Sequence, residues 1–284
     1  MQIFRSASRP SSPAALFARC VAGRFALAAL ACAALSASAQ AADAISTDRP
    51  DFVESSDVVG AGRVQIETGF SSERDKRDGV STRTRSTPTL LRIGVGEALE
   101  LRVETDGYAR RTTRDPALAG TLRERGYNDV SLGAKWRMQE GDEEKGAPGL
   151  AWLLHVDVDS GSSAFRGQGL RPSLRGVAEW DLPNDFSVGV MPGVLLDRRA
   201  DGGRFAAGIL AVTFGKTWTP AWHSFVEIAG QQLASKKNGG SVVTFDAGGS
   251  YLVTESLQID LSVSRGLTSD SPRLQWGAGV SFRY

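Results

Sequence analysis

From residue 63 onward, apolar residues return at every second position in one segment after another, and that period restricts the chain to β-structure. A helix places its apolar residues at a period of about 3.6, whereas a strand sends successive side chains to opposite faces. In YNDVSLGAKWRM (127–138), Val130, Leu132, Ala134, Trp136 and Met138 share one face. Asp129, Ser131, Lys135 and Arg137 share the other. In LELRVETD (99–106), Leu99, Leu101 and Val103 oppose Glu100, Arg102 and Glu104. Twelve such segments follow one another: 63–71, 84–95, 99–107, 127–138, 150–158, 171–182, 186–196, 204–218, 222–231, 241–253, 257–265 and 274–284. Most match the ~9–11 residues that a tilted strand needs to cross a bilayer, and exceed the ~5–6 typical of soluble strands.

The connections sort by parity. Long ones (72–83, 108–126, 159–170, 232–240) alternate with short ones (96–98, 183–185, 219–221, 254–256), separated in places by medium ones. Outer-membrane barrels have short periplasmic turns and longer outer loops, while a soluble sandwich has no reason for such sorting. The long acidic connection QEGDEEKGAPG (139–149) is the exception. Trp136, Trp152, Trp180, Trp218, Trp222, Trp276 and Tyr284 fall mostly near strand ends, where barrels carry aromatic girdles. These features predict an all-β fold, an antiparallel transmembrane β-barrel of twelve strands. Segment 204–218 is apolar on both faces and Phe225 is ambiguous, so the registers over 204–231 stay open.

The front of the chain differs from the rest. Four arginines precede the apolar run FALAALACAAL (25–35), which is too short to span a bilayer, and small residues follow it. This pattern predicts an export signal over residues 1–41, removed after Ala39 or Ala41. Both cysteines, Cys20 and Cys32, lie within it, so the mature chain is not a disulfide-stapled domain. Without the signal's four arginines, 29 of the 33 basic residues remain against 32 acidic ones, a net charge of −3. That balance is no signature of nucleic-acid binding. Residues 42–62 are polar and contain Pro50, which argues against a central strand. They read as a periplasmic N-terminal segment, a tail or lid, or alternatively as a gate folded into the lumen, with the barrel spanning 63–284.

By alternation, Arg92, Glu100, Arg102, Glu104, Asp129, Lys135, Arg175 and Glu179 face the lumen and are the candidate transport residues. Glu67, Arg137, Glu227 and Asp260 share their parity. The set carries both signs, as expected of a salt-bridged lining or of a solute-selecting one. The two histidines, His155 and His223, accompany no recognisable nucleophile motif, and no His, Cys, Asp and Glu cluster has metal-ligand spacing. The expectation is a non-enzyme without cofactor or metal.

Several stretches resemble a known family: TDRPDF (47–52), GRVQIETGF (62–70), PTLLRIGVGEALELRV (88–103), DVSLGAKWR (129–137) and LQIDLSVSRGL (257–267). They are similar in order to outer-membrane transporter-like proteins named for the meta-pathway of phenol degradation. The resemblance implies a barrel in the cell outer membrane, surrounded by lipid, that passes small hydrophobic or aromatic compounds. The alternative is a structural or adhesion barrel with a closed lumen, and a membrane-embedded hydrolase using His155 is a third reading. The final stripe, Trp276, Val280, Phe282 and Tyr284, resembles the C-terminal signal read by the outer-membrane assembly machinery.

Overall fold

The computed structural model describes residues 44–117, 120–199 and 201–284, and the expected export signal lies outside them. Fifteen strand segments run in chain order: β1 (Val64–Arg77), β2 (Val80–Ser86), β3 (Thr89–Gly94), β4 (Leu99–Thr105), β5 (Tyr108–Arg114), β6 (Thr121–Tyr127), β7 (Val130–Gln139) and β8 (Gly149–Val158). They continue with β9 (Arg171–Leu182), β10 (Phe186–Arg198), β11 (Arg204–Thr219), β12 (Trp222–Leu233), β13 (Val242–Thr254), β14 (Leu257–Gly266) and β15 (Leu274–Arg283). β2 and β3 pair with the same β1 on either side of Thr87–Pro88, so they are one barrel strand in two pieces. β4 with β5, and β6 with β7, are broken in the same way. The result is the expected antiparallel barrel of 12 strands, closed by β15 on β1. Closure leaves the bilayer-spanning wall with no unpaired edge, which lipid would not tolerate.

Two expected loops are strand instead. Residues 72–83 form the end of β1, a two-residue turn and the start of β2, while 108–126 hold β5 and β6. The turn is Asp78–Gly79, with φ of 49° and 84°, the backbone that an Asp-Gly hairpin supplies. These extensions are built largely of Arg, Thr and acidic residues, alternating as Thr and Arg in β2 (VSTRTRS), so hydrophobic period misses them. The parity of the remaining connections stands. The long 140–148 connection shares an end with the short turns and folds back through an Asp142–Ala147 bridge.

The two faces of the wall are inverted relative to a soluble protein. Leu101, Leu132, Leu154, Ile228 and Leu261 point outward and are about half exposed, whereas Glu67, Arg92, Glu100 and Lys135 are buried inside. The open registers also resolve. On β11, Ala207, Ile209 and Ala211 point inward, and Leu210, Val212 and Phe214 outward; on β12, Phe225 points inward with Glu227 and Ala229. Both faces of β11 are apolar because lipid covers one and the N-terminal segment covers part of the other. Phe52 and Val53 of that segment pack against Leu153, Val177, Met191, Ala211 and Ala229.

Candidate functional site

The expected periplasmic tail is corrected at this point. Residues from Ile45 to Val59 run inside the barrel, and Ile45, Asp48, Val53, Glu54, Ser56 and Val59 are buried there. The physical reason is complementarity. A non-ladder backbone inside a barrel needs partners for its N–H groups, and the inward carboxylates supply them. Glu67 accepts from the backbone N of Asp48 and of Arg49, Glu100 from Val59, and Glu227 from Phe52 and Val53 at 2.9 and 2.8 Å. Glu179 accepts from the backbone N of Ser56.

The charged side of the segment meets the cationic wall formed by β3, β4, β7 and β9. Asp48 accepts from Lys135 Nζ at 2.7 Å and from Arg102 Nη1 at 2.6 Å, with Arg92 at 3.5 Å. Glu54 pairs with Arg102 at 2.6 Å and with Arg175 at 2.8 Å. Arg92 Nε donates to Glu100 at 2.9 Å, and its Nη1 to Glu67 at 3.1 Å. On the opposite wall Arg49 pairs with Asp260 at 3.0 Å. Burial alone raises the Asp48 carboxyl, but Arg92, Lys135 and Arg102 outweigh it and hold the group well below the usual carboxylate range. Glu54 is lowered too, burial again opposed by Arg102 and Arg175. Asp51 goes the other way: burial and the nearby Glu227 raise its carboxyl well above the ordinary value. Such a cluster is costly to break, because removing one partner strands a buried charge.

The candidate residues therefore divide. Arg92, Glu100, Arg102, Lys135, Arg175 and Glu179 converge on the N-terminal segment. Glu104 is half-buried and, among the described residues, makes no ion pair; it opens onto the cavities on the long-loop side. Asp129 sits in the break between β6 and β7 and organises the 159–170 loop, accepting from the backbone N of Gly161 and Gly167 and from Arg171 at 2.6 Å. Arg137 lies at the short-turn end, donating to the Glu97 carbonyl at 2.9 Å. His155 is buried beside Gly133, and among the described residues neither ring nitrogen has a hydrogen-bond partner. Trp276, Val280, Phe282 and Tyr284 form the outward stripe of β15, with Trp276 against Phe70 at 5.4 Å and Phe282 against Tyr284 at 4.3 Å. Strand alternation could not find Asp48, Arg49 and Glu54, the segment's own contribution. The available signal was the density of charge around Pro50 in a stretch too irregular for a strand.

The segment separates two vestibules. One, of about 660 Å³, lies at the short-turn end and is lined by Ser56, Asp57, Arg137 and Glu179. The other, of about 500 Å³, lies at the long-loop end, lined by Glu104, Asp129, His155, Phe165 and Arg175. A side cavity of about 210 Å³ beside Asp48, Phe52 and Leu90 shares Glu104 and Arg175 with the second vestibule and no residue with the first.

Residues 47–284 match the family described as "Putative MetA-pathway of phenol degradation". Among solved structures, an outer membrane channel from Pseudomonas putida superposes with a TM-score of 0.57 at 12% identity, covering 83% of this chain and 99% of that one. The β domain of the Bordetella autotransporter BrkA gives 0.52 at 15% identity, covering 78% and 99%. At these identities the likeness is one of fold. Comparison with curated proteins found no match.

Proposed function

Since the chain belongs to the "Putative MetA-pathway of phenol degradation" family, we propose that it is an outer-membrane channel through which small hydrophobic or aromatic compounds pass passively. The short-turn end faces the periplasm and the long-loop end the outside, as in other such barrels. The observation that carries the reading is a lumen with a vestibule at each end, separated by a segment held through side-chain contacts. The outer vestibule has the size of a small-molecule site. It joins the aromatic Phe165, itself held under Arg111 at 4.8 Å, to the cationic Arg171 and Arg175, and the adjoining cavity holds Arg175 over Phe52 at 5.6 Å. Arg92, Arg102, Lys135 and Arg175 act as the latch on the segment, Glu100 and Glu179 dock its backbone, and Glu104 and Asp129 line the solute's entry. The stripe Trp276, Val280, Phe282 and Tyr284 presents the chain to the assembly machinery.

A second reading, a structural barrel with a permanently closed lumen, is favoured by one fact: the two vestibules share no lining residue. Ion conductance of the refolded mature chain in a planar bilayer separates the two. The channel reading expects discrete steps, larger ones from Arg102→Ala, and a wide-open pore when residues 44–62 are deleted. Silence from a heat-modifiable barrel lacking 44–62 would overturn it in favour of the structural one.

A further inference from the structure

On the long-loop side, β2, β5, β6 and the end of β1 continue beyond the wall as a projecting sheet, and among the described residues β6 has no ladder partner besides β5. Register fixes what its outward face carries. Arg85, Arg110 and Arg125 lie directly opposite one another in one rung. Arg74, Arg83 and Arg123 occupy the next rung around Thr112, and Lys76 and Arg114 the third, around Ser81. All eight are exposed. They are eight of the chain's 33 basic residues, yet Asp and Glu are absent from this face; Glu73, Asp75 and Glu124 point the other way. Among the described residues none of the eight has an ion-pair partner, while Arg77 and Arg111, pointing inward, do. Like charges set directly opposite across strands destabilise a sheet. A folded rung of three arginines therefore calls for an anion from outside the chain.

The height of the rungs identifies that anion. Below them, the outward face is apolar from Leu99 through Leu101 and Val103 to the paired rings of Tyr108 and Tyr127, 5.4 Å apart. From Leu99 to Tyr108 the strand rises ~30 Å, or ~23 Å along the membrane normal at a tilt of ~40°, against an apolar band of ~25 Å in such barrels. Tyr108 and Tyr127 thus mark the interface, where aromatic girdles sit. The arginines begin two residues higher, with Arg110 at 5.5 Å from the Tyr108 ring. That is the level of lipid headgroups, and basic clusters at that level bind anionic ones. The outward face also forms a concavity of about 670 Å³ whose lining includes Arg83, Arg85, Arg110, Arg114, Arg123 and Arg125 and a single acid, Glu124, which is itself paired with Arg111. Arginine's planar fork suits the bidentate recognition of phosphate.

We propose that this face binds the phosphate groups of a phosphorylated glycolipid in the outer leaflet, anchoring the projecting sheet to the membrane surface. The proposal rests on the outer-membrane placement given above. The test uses the full mature barrel in nanodiscs, titrated with bisphosphorylated lipid A, with dephosphorylated lipid A and with inorganic phosphate, and the conductance of the same purified protein is recorded in a planar bilayer. Saturable binding of bisphosphorylated lipid A is expected, falling at least tenfold in R85Q/R110Q/R125Q and largely restored in R85K/R110K/R125K. Dephosphorylated lipid A should bind at least tenfold more weakly, and millimolar inorganic phosphate should not compete. Equal binding of the two lipid A forms by the wild-type chain overturns the proposal without recourse to any variant. Full competition by inorganic phosphate overturns it in favour of a soluble anion. Lost conductance with intact lipid binding would count against the channel reading alone, and intact conductance without lipid binding against this proposal alone.

Discussion

Asp48 is the residue on which the luminal cluster turns, because three cations of the wall, Arg92, Arg102 and Lys135, converge on its two oxygens. Removing one member of a buried ion-paired set costs about 3–5 kcal/mol, since the stranded charge stays out of water. Asp48→Ala is therefore expected to loosen the segment by that order. The measurement is conductance with limited proteolysis: more open time, and cleavage within 44–62 at protease levels that leave the wild type intact. An unchanged cleavage pattern would mean that the backbone contacts to Glu67, Glu100 and Glu227 suffice. A second residue-scale expectation concerns Gly133, where a Cβ would run into the buried His155 ring. Overpacking of this kind costs about 1–3 kcal/mol, so Gly133→Ala should lower the thermal transition of the barrel, and His155→Ala in the same chain should recover only part of the loss, because the Leu154 carbonyl also crowds that Cβ. The inward charges were legible in the sequence because parity alone places Arg92, Glu100, Arg102 and Lys135 on the lumen face. Their partners were not, because Asp48 lies 54 residues before Arg102 and 87 before Lys135. Asp129 followed parity in the sequence, but the ladder breaks at Asn128–Asp129 and the side chain serves the neighbouring loop instead.

At the scale of elements, the N-terminal segment is a non-ladder strip whose docking depends on protonation. Asp48 and Glu54 have lowered carboxyls in the docked state, so their contribution is complete above the ordinary carboxylate pKa and fades as pH falls through the lowered values. Asp51 is raised, so the docked segment holds a proton that the free one releases, and docking weakens as pH rises from the ordinary value through the raised one. Docking is expected to be tightest in mild acid and to loosen on both sides. A pH series of single-channel open time checks this, and Asp51→Asn should flatten the alkaline limb while leaving the acid limb in place. Open time that rises steadily toward acid would contradict the assignment. The wall strands were readable at this scale, since the bilayer imposes apolar alternation upon them. The segment and the extensions of β1, β2, β5 and β6 were not, since lipid covers neither. Only Asp-Gly at 78–79 announced the first hairpin.

At the scale of the molecule, the barrel exists because its last strand finds its first. β15 pairs with β1 from Gln65 opposite Arg283 to Arg74 opposite Leu274, and this one contact turns an open sheet into a wall without edges. The outward stripe of β15 takes unequal parts in that closure. Trp276 packs on Phe70 across the seam, whereas Tyr284 is 69% exposed, with its ring against Phe282 of its own strand. The backbone closes along the whole seam, with Phe282 opposite Ile66 and Tyr284 exchanging both hydrogen bonds with Val64, but the exposed Tyr284 ring adds little packing to it; we propose that these terminal rings are what the assembly machinery reads. The two roles separate by experiment. Phe282→Ser combined with Tyr284→Ser should refold in detergent to nearly the wild-type yield and heat-modifiability, yet reach the outer membrane in cells at a several-fold lower level. Trp276→Ala should impair both. If the double variant refolds as poorly as it assembles, the stripe acts only through the stability of the seam, and the terminal aromatics are part of the wall rather than a signal carried on it.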